Sequence, residues 1–396
     1  MIGRSKWSFA AGLCVAVGLL AQPAAADVVR IGNVLSLTGA GATLGQHILQ
    51  AEELYIKLHQ KDLPPGTTIQ LITRDDGSKA DNTRRLAQEL VVRDKVQMIA
   101  GIVLSPEGFS VAQVGTEAKV PVVIMNATTG SITRASPYIV RFSHSNWQMA
   151  HTLGEWAAQN GFKRSYVMVA DYAAGLDMQA AFTAGFTGKG GQIVGADHTP
   201  LNTTDYLPYM DRVKAAKPDS LFVFQVAGSG TVAMWKAYGE AGLKAMGVVA
   251  LGSGDVVPET ELKQTGPAAE GMISASIYTA SLKTPANQEF LAEFRKAYGK
   301  DTEVSFESVG AWNGMAAIFQ VVRKLGVKAT GDAAMELFKH MRIDGPSGEI
   351  SIDPQTRDIV QPVYLGRIQK VGDSYENVPF ATIPAVKDAW KILNPQ

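Results

Sequence analysis

The chain has little of what marks a disulfide-rich, metal-binding or nucleic-acid-binding protein. Its 396 residues include one cysteine, Cys14, so neither an intramolecular disulfide nor a cysteine-rich metal site can form. The 37 basic and 37 acidic residues cancel, which removes the bulk attraction that draws a protein to nucleic acid. After residue 26 there is no apolar run long enough to span a bilayer and no extended run of like charges. We therefore expect no nucleic-acid partner and no membrane receptor.

The first residues have the pattern of a secretory signal peptide. Arg4 and Lys6 precede an apolar run over 7–21, and three alanines at 24–26 precede Asp27. A transmembrane anchor is the alternative, but a run of about 15 apolar residues is shorter than the roughly 20 needed to span. We expect residues 1–26 to be cleaved and the mature chain to reach the periplasm. Cys14 would leave with the signal peptide.

The length and the 46% of hydrophobic residues suit two globular domains. From Asp27 onward, β-branched runs alternate with amphipathic stretches, which predicts parallel sheets covered by helices. The predicted strands of a first lobe are Val28–Leu35, Thr68–Arg74, Val96–Gly101 and Pro121–Met125. Those of a second lobe are Ser165–Ala170, Gln192–Asp197, Ser220–Gln225, Met246–Leu251 and Gly271–Ser276.

The fold class expected is α/β, with two doubly wound Rossmann-like lobes, a hinge and a cleft between them. Three helical stretches without strands of their own follow residue 284, and they should cover an existing sheet. Two short strands, Glu349–Ile352 and Val363–Gln369, precede a mixed tail. We assign 27–143 and 277–353 to lobe 1, and 144–276 and 354–396 to lobe 2. The chain would then cross between lobes at Phe142–Ser145, Ser276–Thr279 and Asp353–Val360.

The first strand-to-helix turn raises the alternative of an exported NAD-type oxidoreductase. Gly39, Gly41 and Gly45 follow a strand, and Asp75 and Asp76 end the next one, where a ribose-binding carboxylate would lie. The spacing is G-x-G-x-x-x-G, one residue longer than the dinucleotide pattern. The competing interpretation is that these glycines let a turn pass close to a ligand.

Other catalytic and metal-binding patterns are missing from the sequence. It contains no P-loop, no H-E-x-x-H and no complete G-x-S-x-G, and none of its six histidines form an i, i+4 pair. His144 lies at a predicted crossing between lobes, where a structural role is the simpler expectation. We expect a binding protein with no cofactor and no metal, rather than an enzyme.

In doubly wound sheets, ligands bind at the carboxyl ends of the strands, so the loops there are the candidate cleft wall. In lobe 1, Ser105 and Thr129 could present hydroxyls and amides to a carboxylate, although N-capping is an equal alternative. In lobe 2, Tyr172 could stack on a ligand or simply pack. Tyr278 follows a strand near the second crossing, in the hinge or in the cleft. The candidate ligand-binding residues are Leu44, Ser105, Ala127, Thr128, Thr129, Tyr172, Ala174, Ala227, Gly254, Asp255 and Tyr278.

Five segments in order resemble type I periplasmic solute-binding proteins of the branched-chain amino-acid receptor family. The resemblance runs from about Val28 to Gln369. Its segments are Ile31-Gly32 through Leu37-Thr38-Gly39, Arg74-Asp75-Asp76-Gly77-Ser78, Met98-Ile99-Ala100-Gly101 to Ser105, Pro121-Val122-Val123, and Ala269-Glu270-Gly271-Met272.

The resemblance implies a monomer that binds a small solute between its lobes. The solute then passes to a membrane permease driven by ATPase subunits. In the family's amino-acid binders a serine and an Ala-x-Thr loop hold the carboxylate, and these positions match Ser105, Ala127 and Thr129. The lobe 2 positions that usually meet the ammonium group depart from the family pattern.

The first tyrosine position resembles Ala174, with Tyr172 displaced by two, and the next resembles Ala227. The acidic position falls on Gly254 or Asp255. A buried ammonium without a paired carboxylate is costly, so a pocket lacking that acid should prefer an uncharged group there. We expect an aromatic or other organic acid as ligand, with a branched-chain or apolar amino acid and an amide or urea-like solute as alternatives.

Overall fold

The computed structural model describes residues 1–3, 27–226, 228–258, 261–300, 302 and 304–395. The predicted signal peptide falls almost entirely on residues 4–26 and so lies outside the described residues. Within the described part, no helix combines the length and the apolar character that a membrane span requires.

The first sheet has five parallel strands in the order β2-β1-β3-β4-β5. Helices on both of its faces bury the central strands, which therefore read as continuous apolar runs. The elements are β1 (Asp27–Leu35), α1 (Ala42–His59), β2 (Thr67–Asp75), α2 (Ala80–Val92), β3 (Met98–Gly101), α3 (Ser105–Ala118), β4 (Val122–Ile124) and β5 (Ile139–Arg141).

The second sheet repeats this order. Its parallel strands lie as β7-β6-β8-β9-β10, so the duplication of architecture expected from the sequence is present. The elements are α4 (Asn146–Gln159), β6 (Arg164–Ala170), α5 (Ala173–Gly188), β7 (Gln192–Thr199), α6 (Leu207–Ala216), β8 (Ser220–Phe224), α7 (Ser229–Glu240), β9 (Val249–Ser253), α8 (Leu262–Ala269) and β10 (Ile273–Ser276). The predicted fold class, two doubly wound α/β units, is confirmed.

A glycine in the first turn of a helix marks the same place in both units. A Cβ at Gly45 would lie 2.1 Å from the carbonyl oxygen of Ser36, and one at Gly175 would lie 1.8 Å from that of Ala170. Each glycine thus lets a helix begin against the end of the preceding strand. This packing role accounts for Gly45 without a nucleotide.

The last part of the chain completes both units. Helix α10 packs along α1 of the first unit, as expected for a helix without a strand of its own. Strand β13 runs antiparallel to β10 and also pairs with β12 and β14, while β11 pairs with β12 and contacts α10. The elements are α9 (Pro285–Tyr298), α10 (Phe306–Leu325), α11 (Gly331–Lys339), β11 (Arg342–Gly345), β12 (Gly348–Ile352), β13 (Ile359–Val371), β14 (Ser374–Val386) and α12 (Ala389–Leu393).

The sequence missed β14 because Pro379 and Pro384 interrupt it. Proline cannot donate to a strand ladder and is therefore usual only at edges and irregularities. The register between β13 and β14 shifts at Gln361/Val363 and at Leu365/Gly366, and the prolines lie at these shifts. The expected strand Met246–Leu251 is also displaced, because residues 242–247 form turns and β9 begins at Val249.

Candidate functional site

A small cavity lies between the two units, where the carboxyl ends of their strands face each other. The loops around it follow β1, β3 and β4 in the first unit and β6, β8 and β9 in the second. These include both places where the strand order reverses, between β1 and β3 and between β6 and β8. The lining residues are Leu44, Val103, Leu104, Ser105, Asn126, Thr128, Tyr172, Phe224, Gln225, Val226 and Asp255.

The cavity encloses about 20 Å³. That is room for little more than one water-sized group. The aromatic ring or aliphatic chain of a ligand would enter the cavity only after the surrounding side chains or the two units move apart.

On the first unit's side, Ser105 organises the loop that follows β4. The backbone N–H groups of Thr128 and Thr129 donate to Ser105 Oγ at 3.3 and 3.2 Å. Because both acceptor positions of this hydroxyl are occupied, its own hydrogen remains for donation. Asn126 Nδ2 donates to the carbonyl of Val103 at 2.8 Å and joins this loop to the one after β3. The arrangement offers hydroxyl donors to an anion.

The amino terminus of α3 is already occupied by a carboxylate of the protein. Glu107 accepts from the N–H groups of Val103 and Leu104 at 3.1 and 2.8 Å, and from Ser36 Oγ at 2.7 Å. Burial, followed by the charge of Asp76, raises the pKa of Glu107 to about 7. The N–H groups of Val103 and Leu104 are therefore engaged by Glu107 and are not free for a ligand carboxylate.

The second unit supplies an aromatic wall. Tyr172 stacks on Phe224, with ring centroids 6.2 Å apart and an interplanar angle of 18°. Burial, with the charges of Asp255 and Glu107, raises the pKa of Tyr172, so its hydroxyl stays protonated. Gln225 is buried and held by Thr199 and Tyr206. This side presents flat apolar surface with fixed polar groups beside it.

Asp255 is the acidic residue of the cavity. Its side chain is half-buried, and its Oδ2 is enclosed without a hydrogen-bond partner among the described residues. Burial raises the pKa of Asp255 to about 7, and the nearby charge of Glu307 adds to the shift. The sequence left the orientation of this residue open, and the structure places it in the cavity wall.

Gly254 and Tyr278 line a neighbouring cavity instead. Ser276, Phe306 and Asn377 share that cavity with them. Phe306 also packs edge-on against His144, with ring centroids 5.3 Å apart. Burial, and then Arg141, lowers the pKa of His144 to about 3, so this histidine is neutral and structural. The consecutive residues Gly254 and Asp255 thus line different cavities.

The remaining candidate residues divide into three cases. Ala127 and Thr129 are buried in the loop that follows β4, on either side of Thr128, and do not line the cavity. Thr129 Oγ1 has no hydrogen-bond partner among the described residues. Ala174 is buried in α5, where its carbonyl accepts from Asn146 at 3.0 Å. Ala227 lies outside the described residues.

Sequence reasoning missed Asn126, Phe224 and Gln225, although each lies at or just after the end of a strand. The rule that ligands bind at the carboxyl ends of parallel strands could have found them.

Asp75 and Asp76, the acidic residues that the dinucleotide hypothesis requires, are already hydrogen-bonded within the protein. Asp75 accepts from Leu37, Thr38 and Gly77, and Asp76 accepts from Ser78 and Thr83, with Ser36 Oγ 3.0 Å from its Oδ1.

Two further observations bear on the chemistry. Across the described residues, no group of three or more histidine, cysteine or acidic side chains could hold a metal ion. A larger cavity of about 460 Å³ lies at the amino ends of β9 and β10, opposite the carboxyl ends that face the small cavity. Its lining includes Trp156, Lys244 and Arg367. It lies far from the loops that carry the candidate residues.

Known proteins similar to the chain are binding proteins of transport systems. The sequence model described as periplasmic binding protein matches residues 28–373. A Leu/Ile/Val-binding protein homolog 6 from Brucella melitensis is 36% identical over 367 residues, which is 92% of this chain and 94% of that protein.

Two solved structures are also similar. A solute-binding protein of an ABC transporter from Rhodopseudomonas palustris BisB5, in complex with 3,4-dihydroxybenzoic acid, is 41% identical with a TM-score of 0.87, and the match covers 92% of this chain and 99% of that one. Another from R. palustris, in complex with 4-hydroxybenzoate, is 36% identical with a TM-score of 0.88, covering 93% and 100%. By fold, cleft and sequence, the chain belongs to the type I periplasmic binding proteins that resemble the branched-chain amino-acid receptors.

Proposed function

We propose that the chain is the solute-binding component of an ABC importer and that it binds a small aromatic carboxylate between its lobes. It reaches the periplasm through cleavage of residues 1–26 and delivers its ligand, as a monomer, to a permease with ATPase subunits. It does not turn its ligand over. We assign residues 27–143 with 277–353 to one lobe and residues 144–276 with 354–396 to the other.

One observation carries the ligand class. The cavity combines hydroxyl donors on one side, at Ser105 and Thr128, with the stacked rings of Tyr172 and Phe224 on the other. A carboxylate on a flat apolar ring matches both halves, because charged groups need donors and aromatic faces stack. The solved relatives with dihydroxybenzoate and hydroxybenzoate support the same class.

The geometry suggests the ligand's direction. Its carboxylate would meet Ser105 and Thr128 of the cavity wall, with the unpartnered hydroxyl of Thr129 next to them, its ring would lie along Tyr172, and its far end would point to Asp255. An enclosed acceptor without a partner favours a ligand that donates to it. A ring hydroxyl opposite the carboxylate is such a donor, and it needs no charge on Asp255.

An amino acid is the second candidate. Asp255 in the cavity wall could pair with an ammonium group, and the curated relatives are named Leu/Ile/Val-binding protein homologs. The aromatic wall and the raised pKa of Asp255 favour the aromatic acid.

The test is calorimetric titration of the mature chain with benzoate, 4-hydroxybenzoate, 3,4-dihydroxybenzoate and leucine. We expect saturable binding of the aromatic acids and none of comparable strength for leucine. Ser105→Ala should weaken aromatic-acid binding by about 1.5–3 kcal/mol, the range for hydrogen bonds to charged groups. Ser110→Ala is the matched control on α3, since the hydroxyl of Ser110 lies outside the cavity lining and donates to the carbonyl of Glu107 at 2.9 Å. Leucine binding tighter than every aromatic acid would refute the proposal.

A further inference from the structure

Four charged side chains form a buried cluster next to residues 127–130, in the loop that follows β4. They are Arg141, Asp358, Asp388 and Lys391, with side chains exposed by 0%, 2%, 1% and 3%. We call them the hinge cluster, because Arg141 precedes the first predicted crossing and Asp358 lies in the third. Lys391 lies in the C-terminal helix α12, and Asp388 is the residue directly before that helix.

The cluster is internally paired. Arg141 contacts Asp358 at 2.6 Å and Asp388 at 3.5 Å, and Lys391 pairs with Asp388 at 2.8 Å and with Asp358. Two cations face two carboxylates, which limits the cost of burying each charge. Burial acts to raise the pKa of Asp358, but Arg141 and Lys391 outweigh it and lower that pKa.

The two cations also hold the loop that follows β4. Arg141 Nη1 donates to the carbonyls of Ala127 and Thr129 at 3.3 and 2.9 Å. Lys391 Nζ donates to the carbonyl of Gly130 at 2.5 Å. The N–H of Gly130 donates to Asp177 of α5 at 2.9 Å. The carbonyls of Ala127, Thr129 and Gly130 are thus turned to the cluster, while that of Thr128 accepts from the N–H of Asn146 at 3.0 Å.

This orientation decides what the loop can offer to a ligand. With the carbonyls of Ala127 and Thr129 directed at Arg141, the N–H groups of Thr128 and Thr129 are directed at Ser105 Oγ. Ser105 then keeps its hydrogen for donation. Were the carbonyls turned toward the cavity, their negative ends would oppose an anion instead.

We propose that α12, through Lys391, is a positioning element of the ligand site: together with Arg141 it fixes the carbonyls of Ala127, Thr129 and Gly130 away from the cavity, so that the loop and Ser105 receive a carboxylate. This rests on the proposed function for the nature of the ligand. No sequence pattern predicts this contact, since Lys391 is 261 residues from Gly130 along the chain.

The test uses the mature chain and three variants of it. Lys391→Met alone leaves two carboxylates beside one cation, so the main variant is Lys391→Met with Asp388→Asn, which keeps the cluster neutral. Lys391→Arg tests rescue by a residue with the same charge. Lys387→Met is the matched control, because Lys387 is 59% exposed and pairs with Asp353 at 2.9 Å.

Two readouts are measured at a temperature where circular dichroism shows every variant folded. The first is the Kd for 4-hydroxybenzoate by calorimetry, and the second is amide hydrogen exchange of residues 127–130 without ligand. We expect the double variant to raise Kd about tenfold or more, as loss of good donors to a charged group would. We also expect its loop amides to exchange about tenfold faster or more. Lys391→Arg should retain most of the affinity for 4-hydroxybenzoate and most of the exchange protection of residues 127–130. Lys387→Met should change neither quantity.

The outcomes separate this inference from the proposed function. A double variant with unchanged exchange at 127–130, or with faster exchange but unchanged Kd, overturns the positioning role. A lower melting temperature with both readouts unchanged does the same, because it shows a merely structural cluster. If the unaltered chain binds no aromatic acid, the proposed function fails, and the exchange data alone decide whether α12 holds the loop.

Discussion

The substitution Asp255→Asn distinguishes the two ligand classes. It removes the charge of the cavity's acidic residue and keeps its shape. In the unaltered chain, Asp255 has a pKa of about 7 because it is buried and lies near Glu307. The residue is therefore mostly neutral at pH 6 and mostly ionised at pH 8. Each ligand class responds to that change in the opposite direction.

For benzoate, the magnitude follows from two competing costs at pH 8. At a separation of about 7 Å and an effective dielectric constant of about 20, two negative charges repel by about 2 kcal/mol. The protein can avoid this by protonating Asp255, which costs about 1.4 kcal/mol one pH unit above the pKa. The smaller cost sets the effect. Asp255→Asn should thus improve benzoate binding about tenfold at pH 8 and hardly at pH 6.

For leucine, the ammonium group would depend on the ionised carboxylate. Removing one partner of an enclosed charge pair costs about 2–5 kcal/mol. If leucine were the ligand, its affinity would rise with pH from 6 to 8 in the unaltered chain and collapse in Asp255→Asn at both values.

The assay is calorimetric titration at pH 6 and pH 8 with benzoate and with leucine. Asp211→Asn is the control, since Asp211 is a 74% exposed carboxylate on α6. Benzoate affinity that is equal in both proteins at pH 8 would show that Asp255 does not face the bound ligand. Benzoate affinity that falls in Asp255→Asn would refute the electrostatic reasoning.

Four further outcomes are expected. Thr129→Ala should weaken aromatic carboxylates by about 1.5–3 kcal/mol without lowering the melting temperature, because Thr129 Oγ1 has no partner to lose among the described residues; calorimetry and thermal melts check this. 4-Hydroxybenzoate should bind more tightly than benzoate by about 1–3 kcal/mol, and Asp255→Ala should abolish that preference. Small-angle scattering should show a smaller radius with saturating 4-hydroxybenzoate than without ligand, because a cavity of about 20 Å³ marks the closed arrangement and the ligand-free chain has to be open to admit an aromatic ring; an unchanged radius contradicts hinge closure. Burial raises the pKa of Glu52 to about 8, so the native state binds its proton more tightly than the unfolded state and the free energy of unfolding falls as pH rises between about 4.5 and 8, by up to about 1.4 kcal/mol per pH unit. Glu52→Gln should match the unaltered chain at pH 5 and exceed its stability at pH 8 in urea unfolding.

The sequence predicted the parts of the site that depend on strand ends. Ser105 begins the helix after β3 and Thr128 follows β4, so the rule that ligands meet the carboxyl ends of parallel strands points to both, and both line the cavity. The same rule would have given Gln225, which directly follows β8. Such residues are predictable because the backbone alone fixes their position.

The parts that depend on distant packing could not be predicted. Strand β14 contains two prolines, which argue against a strand unless its register shifts with β13 are known. Gly254 and Asp255 are neighbours, yet they line different cavities, and no periodicity separates them. Lys391 reaches Gly130 only because the tail folds back beside α4.

The two sides of the cavity constrain the ligand in different ways. The first unit holds its donors through backbone groups, with Ser105 Oγ bonded to two N–H groups and the loop carbonyls bonded to Arg141 and Lys391. A substitution there disturbs an entire loop. Because these donors contact the carboxylate group and not the rest of the ligand, this half suits any carboxylate. The second unit presents side chains, Tyr172 and Asp255, whose replacement leaves the backbone in place. The class of carboxylate is therefore decided by the second unit, and the shift in the pKa of Asp255 is the most direct measure of that decision, because an ammonium ligand would lower this pKa and an aromatic anion would raise it further.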